Sequence, residues 1–212
     1  MGAGRRSLPG GLPGGVMAAE RSETGGGAPR GLERKKTLNV FRDAAAAWGS
    51  YDDFPVGQPG TDPMPHLSRN RIAQPFYLVS EADQVLIQMA GTGEIWFRDI
   101  EPARLALEPG DTVYIPACVP SRLVPHGENV QIRLKAEPAV REAVAWYCAC
   151  GALVASAEIA PGVVQDGYLA AVQAFNAGAR ACPACGRIHP PAELGDIAWA
   201  EVAAAIRNSL TA

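Results

Sequence analysis

The chain is predicted to fold as an all-β-dominated antiparallel sandwich or barrel, followed by a small cysteine-bearing annex and a terminal helix. Three observations point there. Six short segments, 72–79, 84–89, 94–97, 111–115, 121–124 and 130–135, are rich in β-branched and aromatic residues and follow one another with no helical period between them. Among them, Pro109-Gly110 makes a tight turn, Thr112 to Ile115 suit a half-buried strand, and Pro116 stops it because proline cannot donate to a ladder. Beyond residue 144, Cys148, Cys150, Cys182 and Cys185 arrive as two close pairs.

Residues 1–36 are Gly-, Pro- and Arg-rich without hydrophobic period, and carry seven basic and three acidic residues. Such a composition buries too little surface to offset ordering entropy, so a disordered tail is expected. A start codon placed too early, with Met17 as the later candidate, and a basic arm touching nucleic acid are the other readings. The barrel is expected over 37–143. At its start Val40, Phe41, Ala44, Ala45 and Trp48 share a helical face, and 51–63 is turn-rich and expected as a loop. Gly91-Thr92-Gly93 lies between two strand candidates and reads as a hairpin turn. The annex is expected over 144–191, with a strand at 152–159 and a helix at 168–175 presenting Leu169, Val172 and Phe175. In the last segment, 192–212, a helix from about Asp196 repeats Trp199, Val202, Ile206 and Leu210 at three to four residues, a stripe expected to dock on the barrel.

The chain has 212 residues and 48% hydrophobic content, enough for a true core. A net charge of −3 and a pI near 5.6 argue against general nucleic-acid affinity. No stretch is apolar for the length of a bilayer crossing, and Arg5 and Arg6 are not followed by the apolar region of a signal peptide. Close cysteine pairs suit a metal site in a reducing compartment, so a cytoplasmic protein without membrane partners is expected.

Cys182-x-x-Cys185-Gly186 has the form of a metal knuckle: two thiolates from one tight turn, with a glycine that lets amides aim at sulfur. Cys148-x-Cys150-Gly151 would be its partner, one residue shorter than usual. Four sulfurs suit tetrahedral zinc or a rubredoxin-like iron. A first pair too short to close the site, a redox dithiol at Cys182 and Cys185, and His189 as substitute ligand are the alternatives. Cys118 stands alone after Pro116 and is expected as a small buried core residue.

The cysteine region, Trp146-Tyr147-Cys148 through Cys150-Gly151 and then Cys182-Pro183-x-Cys185-Gly186-x-x-His189-Pro190, resembles the tail of bacterial 3-hydroxyanthranilate 3,4-dioxygenases. The spacing of Gly110, Pro116 and Ser121 resembles the second motif of the cupins, in which a metal-binding histidine stands where Ser121 stands. The resemblance implies a cupin fold, a double-stranded β-helix or jelly-roll-like barrel, with a substrate pocket inside it, a rubredoxin-like four-cysteine iron site and a homodimer. It also implies ferrous iron held in the barrel by two histidines and a glutamate. Anchored on Gly91, those positions fall on Leu78, Ser121 and Gln84, while Gln74 and Pro125 lie near the family's substrate arginines. The other histidines, His66 and His126, sit outside both motifs. The reading favoured is therefore a divergent member without barrel iron that binds a small molecule, aromatic ones among the candidates, or catalyses a reaction that needs no metal. Gln74, Gln84, Ser121 and Arg133 would line its pocket, against a wall of Leu78, Val113 and Ile115. The rivals are an active dioxygenase with ligands drawn from His66, His126 or Gln84, and a zinc-ribbon interaction protein on a cupin scaffold.

Overall fold

The computed structural model describes residues 39–43, 51, 54–178 and 180–210. The expected tail and Trp48 lie outside them, and of the first helical stretch only α1 (Val40–Asp43) is described. Two antiparallel sheets face each other. One has the order β1 (Phe54–Pro55), β2 (Met64–Asn70), β9 (Asn129–Lys135), β4 (Gln84–Ala90) and β7 (Thr112–Ile115). The other runs β11 (Leu153–Ile159), β10 (Glu142–Tyr147), β3 (Tyr77–Ser80), β8 (Ser121–Pro125), β5 (Gly93–Phe97) and β6 (Arg104–Leu107). The eight strands β2 to β9 thus form two four-stranded sheets, β2-β9-β4-β7 over β3-β8-β5-β6. This is the jelly-roll order of the double-stranded β-helix on which cupins are built.

Four strands were not legible in the sequence, the first being β1, which falls in the stretch 51–63 expected as a loop. β2 carries His66, Ser68 and Asn70 on alternate positions, so the apolar alternation of a half-buried strand is missing. β6 is an edge strand with two of its four residues exposed. β10 straddles the expected start of the annex, where no strand was expected; it pairs with β3 and carries β11 with it, so the cysteine region grows directly out of the second sheet. The expected strand at 72–79 is shortened to β3. Its first half is loop, in which Gln74 N–H donates to Leu123 O at 2.9 Å.

Directly opposed residues share a face of a sheet. Leu86 lies opposite Val113 and Arg133, Gln84 opposite Ile115, and Gln88 opposite Gln131. Leu86, Val113 and Ile115 pack between the sheets against Leu78, Ile95, Leu107, Leu123 and Val144. The inward row of the first sheet therefore also holds Gln84, Gln88, Gln131 and Arg133, each at most 3% exposed. The opposite face of that sheet, with Leu67, Val130 and Ile132, is covered by Val202, Ala205 and Ile206 of α3 (Trp199–Leu210). Val202 and Ile206 of the C-terminal stripe thus dock on the chain's own barrel, as its periodicity suggested, while the Leu210 side chain lies outside the described residues.

α2 (Val164–Ala177), longer than expected, lays Tyr168, Val172 and Phe175 onto one end of the core. There Trp146 stacks on Phe175 at 4.4 Å between ring centroids, and Phe76 contacts Trp199 at 5.6 Å and Tyr168 at 5.2 Å. Among the described residues, no helix is long and apolar enough to cross a membrane.

Candidate metal centre and barrel-end pocket

The turn between β10 and β11 presents Cys148 and Cys150. Cys148 N–H donates to Ala152 O and Gly151 N–H to Cys148 O, both at 2.9 Å. The second knuckle is closed in the same manner. Cys182 N–H donates to Arg187 O at 2.8 Å, Gly186 N–H donates to Cys182 O at 2.9 Å, and Ala181 bridges to Ile188. Gly151 (φ 94°) and Gly186 (φ 71°) occupy the left-handed conformation that turns the chain behind each pair, where a side chain would be strained.

The two turns bring four sulfurs together. Cys148 Sγ lies 3.6 Å from Cys185 Sγ, and Cys150 Sγ lies 3.6 Å from Cys182 Sγ. All four are within 4.8 Å of one another. A tetrahedral ion with metal–sulfur bonds of about 2.3 Å needs sulfur–sulfur edges of roughly 3.8 Å. The set therefore fits zinc or iron, and the short first knuckle still reaches. Backbone N–H groups of Cys185 and Ala184, assisted by neighbouring thiols, outweigh desolvation and pull the Cys182 thiol down to about 6. The Arg187 N–H acts the same way on Cys185, but its thiol neighbours outweigh it and hold that thiol up at about 11. A cation would remove that mutual repulsion, since thiolate is the ligating form. His189 is not in the group. Cys118 is exposed, not buried, and has φ 62° in its turn.

At one end of the barrel lies a pocket of about 220 Å³. Its polar lining comes from strand ends: Ser80 closes β3, Gln84 opens β4, Lys135 closes β9 and Glu142 opens β10, with His66 from β2. Gln165 at the start of α2, Glu137 in the loop after β9 and the apolar Met64, Val163, Val164 and Ile206 also line it. Glu142 is the hub. Its Oε1 accepts from Lys135 Nζ at 2.6 Å and from Gln84 Nε2 at 3.4 Å, and its Oε2 accepts from the Tyr168 hydroxyl. Gln84 Oε1 in turn accepts from Arg133 Nη1 at 2.6 Å. Lys135 and Glu142 are 8% and 6% exposed, so this is a desolvated ion pair with additional donors on its carboxylate.

Of the sequence-derived pocket residues, the structure brings Gln84 and Arg133 together. Ser121 is buried opposite Leu78 and Phe97. The Gln74 side chain accepts from Leu123 N–H at 3.4 Å. Of the four, Gln84 lines the barrel-end pocket, whereas Gln74, Ser121 and Arg133 do not, Arg133 lying behind Gln84. Ser80, Lys135, Glu142, Gln165 and Tyr168 were missed, because charged or polar residues at strand ends read as solvated turn positions until the topology collects them. His66 lies within β2, and His126 is exposed in a turn, its backbone N–H donating to Thr92 O. Leu78, Gln84 and Ser121 do not fit the ferrous iron that the resemblance implies. One has no donor atom, the others offer an amide and a hydroxyl, and the Gln84 amide is engaged by Arg133 and Glu142.

No family model and no curated protein matches the chain. Among solved structures it is similar to hydroquinone 1,2-dioxygenase PnpCD in complex with Cd2+ and 4-hydroxybenzonitrile. The identity is 16% and the TM-score 0.41, over 47% of this chain and 71% of that one. It is also similar to hydroquinone 1,2-dioxygenase from Sphingomonas sp. TTNP3 (19%, TM-score 0.41, 48% and 74% covered). A third is a cupin-2 domain protein from Shewanella frigidimarina (22%, TM-score 0.34, 39% and 78% covered).

Proposed function

We propose that the protein is a divergent cupin of the 3-hydroxyanthranilate dioxygenase type. Its four cysteines hold one structural zinc or iron, and its barrel binds a small, partly aromatic molecule without a barrel metal. The observation that carries this reading is the convergence of Cys148, Cys150, Cys182 and Cys185 on one tetrahedral position. The barrel-end pocket supports the second half of the reading. It combines an ammonium, a carboxylate and an amide with aliphatic side chains, which suits a ligand that has both a polar edge and an apolar body. By the same resemblance the assembly is a homodimer, and the close cysteine pairs suit a reducing compartment such as the cytoplasm.

Elemental analysis of purified protein tests it. About one zinc or iron per chain is expected, lost on replacing Cys182 and Cys185 by Ser. A second metal that survives those replacements overturns the reading of a metal-free barrel. The rival with an atypical iron site is favoured by one observation, that His66 and Glu142 line the same pocket. It predicts oxygen uptake dependent on 3-hydroxyanthranilate and ferrous iron, abolished by His66→Ala. The reading adopted here predicts none.

A further inference from the structure

A second pocket, of about 390 Å³, lies outside the barrel, between the outer face of the second sheet and the segment 189–195. Tyr77, Arg122, Ala145 and Tyr147 project into it because they alternate with the inward-facing Leu78, Leu123, Val144 and Trp146 of the same strands. His189 completes the wall, together with Phe76 and Trp146, which are otherwise buried in the core. Arg122 Nε donates to Gln74 O at 2.7 Å, which fixes the side chain, and its guanidinium carbon lies 5.7 Å from the Trp96 ring centroid. Among the described residues no carboxylate forms an ion pair with Arg122, and neither Nη has a hydrogen-bond partner. Glu193 lies on the same wall without reaching it. Burial pushes the guanidinium below its ordinary pKa, a sign that it lacks a compensating anion. His189 adds a second group, since its Nε2 is buried in the same wall with no partner.

We propose that this outer pocket binds a small planar organic anion, with Arg122 gripping a carboxylate through its two free Nη groups and the rings of Tyr77 and Tyr147 covering a flat apolar body. The fork of a guanidinium matches a carboxylate in two parallel hydrogen bonds, and a partly desolvated site strengthens them. The site does not depend on the barrel-end pocket.

Benzoate is the probe, titrated into metal-loaded full-length protein by calorimetry and tryptophan fluorescence, beside neutral benzamide and inorganic phosphate. Saturable benzoate binding is expected, with benzamide and phosphate each weaker by about tenfold or more. Arg122→Gln should weaken benzoate by a similar factor, Arg122→Lys by less, and His66→Ala in the barrel pocket not at all. Circular dichroism establishes that each variant is folded. If Arg122→Gln fails to fold, Arg122→Lys and the benzoate preference over benzamide decide. No benzoate binding, equal binding of benzamide, or phosphate binding as tight as benzoate overturns the proposal. Binding lost in His66→Ala but kept in Arg122→Gln also overturns it, while leaving the barrel-pocket reading intact.

Discussion

Glu142 shows how a residue with no motif around it becomes the centre of a site. In sequence it is one acid among several after Pro138. In the fold it opens β10 beside the ends of β3, β4 and β9, where Lys135, Gln84 and Tyr168 all donate to it. Replacing Lys135 by Met leaves that carboxylate buried without its cation and should cost about 3–5 kcal/mol in urea unfolding. Adding Glu142→Leu should recover much of the loss, because the uncompensated charge is then gone. Gln84, by contrast, was legible, because its distance from Gly91 fixed its place in a recurring strand-and-turn unit. Gln74 and Ser121 were legible as buried polar positions but not in their surroundings, which depend on a register that only the pairing of β3 with β8 sets.

Among the elements, α3 was readable because one helical face repeats large apolar residues, and it packs on Leu67, Val130 and Ile132. Ile206 is 6% exposed in that contact, so Ile206→Ala should cost about 2–5 kcal/mol of unfolding free energy, measured in denaturant. An exposed position of the same helix, Glu201, should tolerate Ala within about 0.5 kcal/mol. β2 was hidden for the opposite reason. Its inward row, His66, Ser68 and Asn70, faces other polar groups, so the barrel interior erases the very alternation by which a strand is recognised. The knuckles stood out because metal chemistry fixes their spacing whatever packs around them.

For the whole molecule, the cysteine centre joins the β10–β11 hairpin to the chain beyond α2, two regions that meet nowhere else through sulfur. Metal removal should therefore be visible far from the cysteines. With metal bound, a thiol reagent should titrate the exposed Cys118 and spare the rest. After chelation all five cysteines should react. A chelator should also lower the melting temperature in protein that carries the metal and not in Cys182→Ser, which has already lost it. Reaction of all five cysteines before chelation would contradict a filled site.

The strand order has a consequence for how the chain reaches this state. β9 lies between β2 and β4, hydrogen-bonded to both. Until residues 129–135 leave the ribosome, β2 and β4 each lack their inner neighbour, and the polar inward row has nothing to bond except water. The β2–β9 pairing then closes a loop of roughly sixty residues, an entropic cost met before most contacts form, which places the protein among the slow-folding topologies of high contact order. A nascent chain of this kind exposes two unpaired strand edges for seconds, and during synthesis its need is for protection from other chains more than for speed.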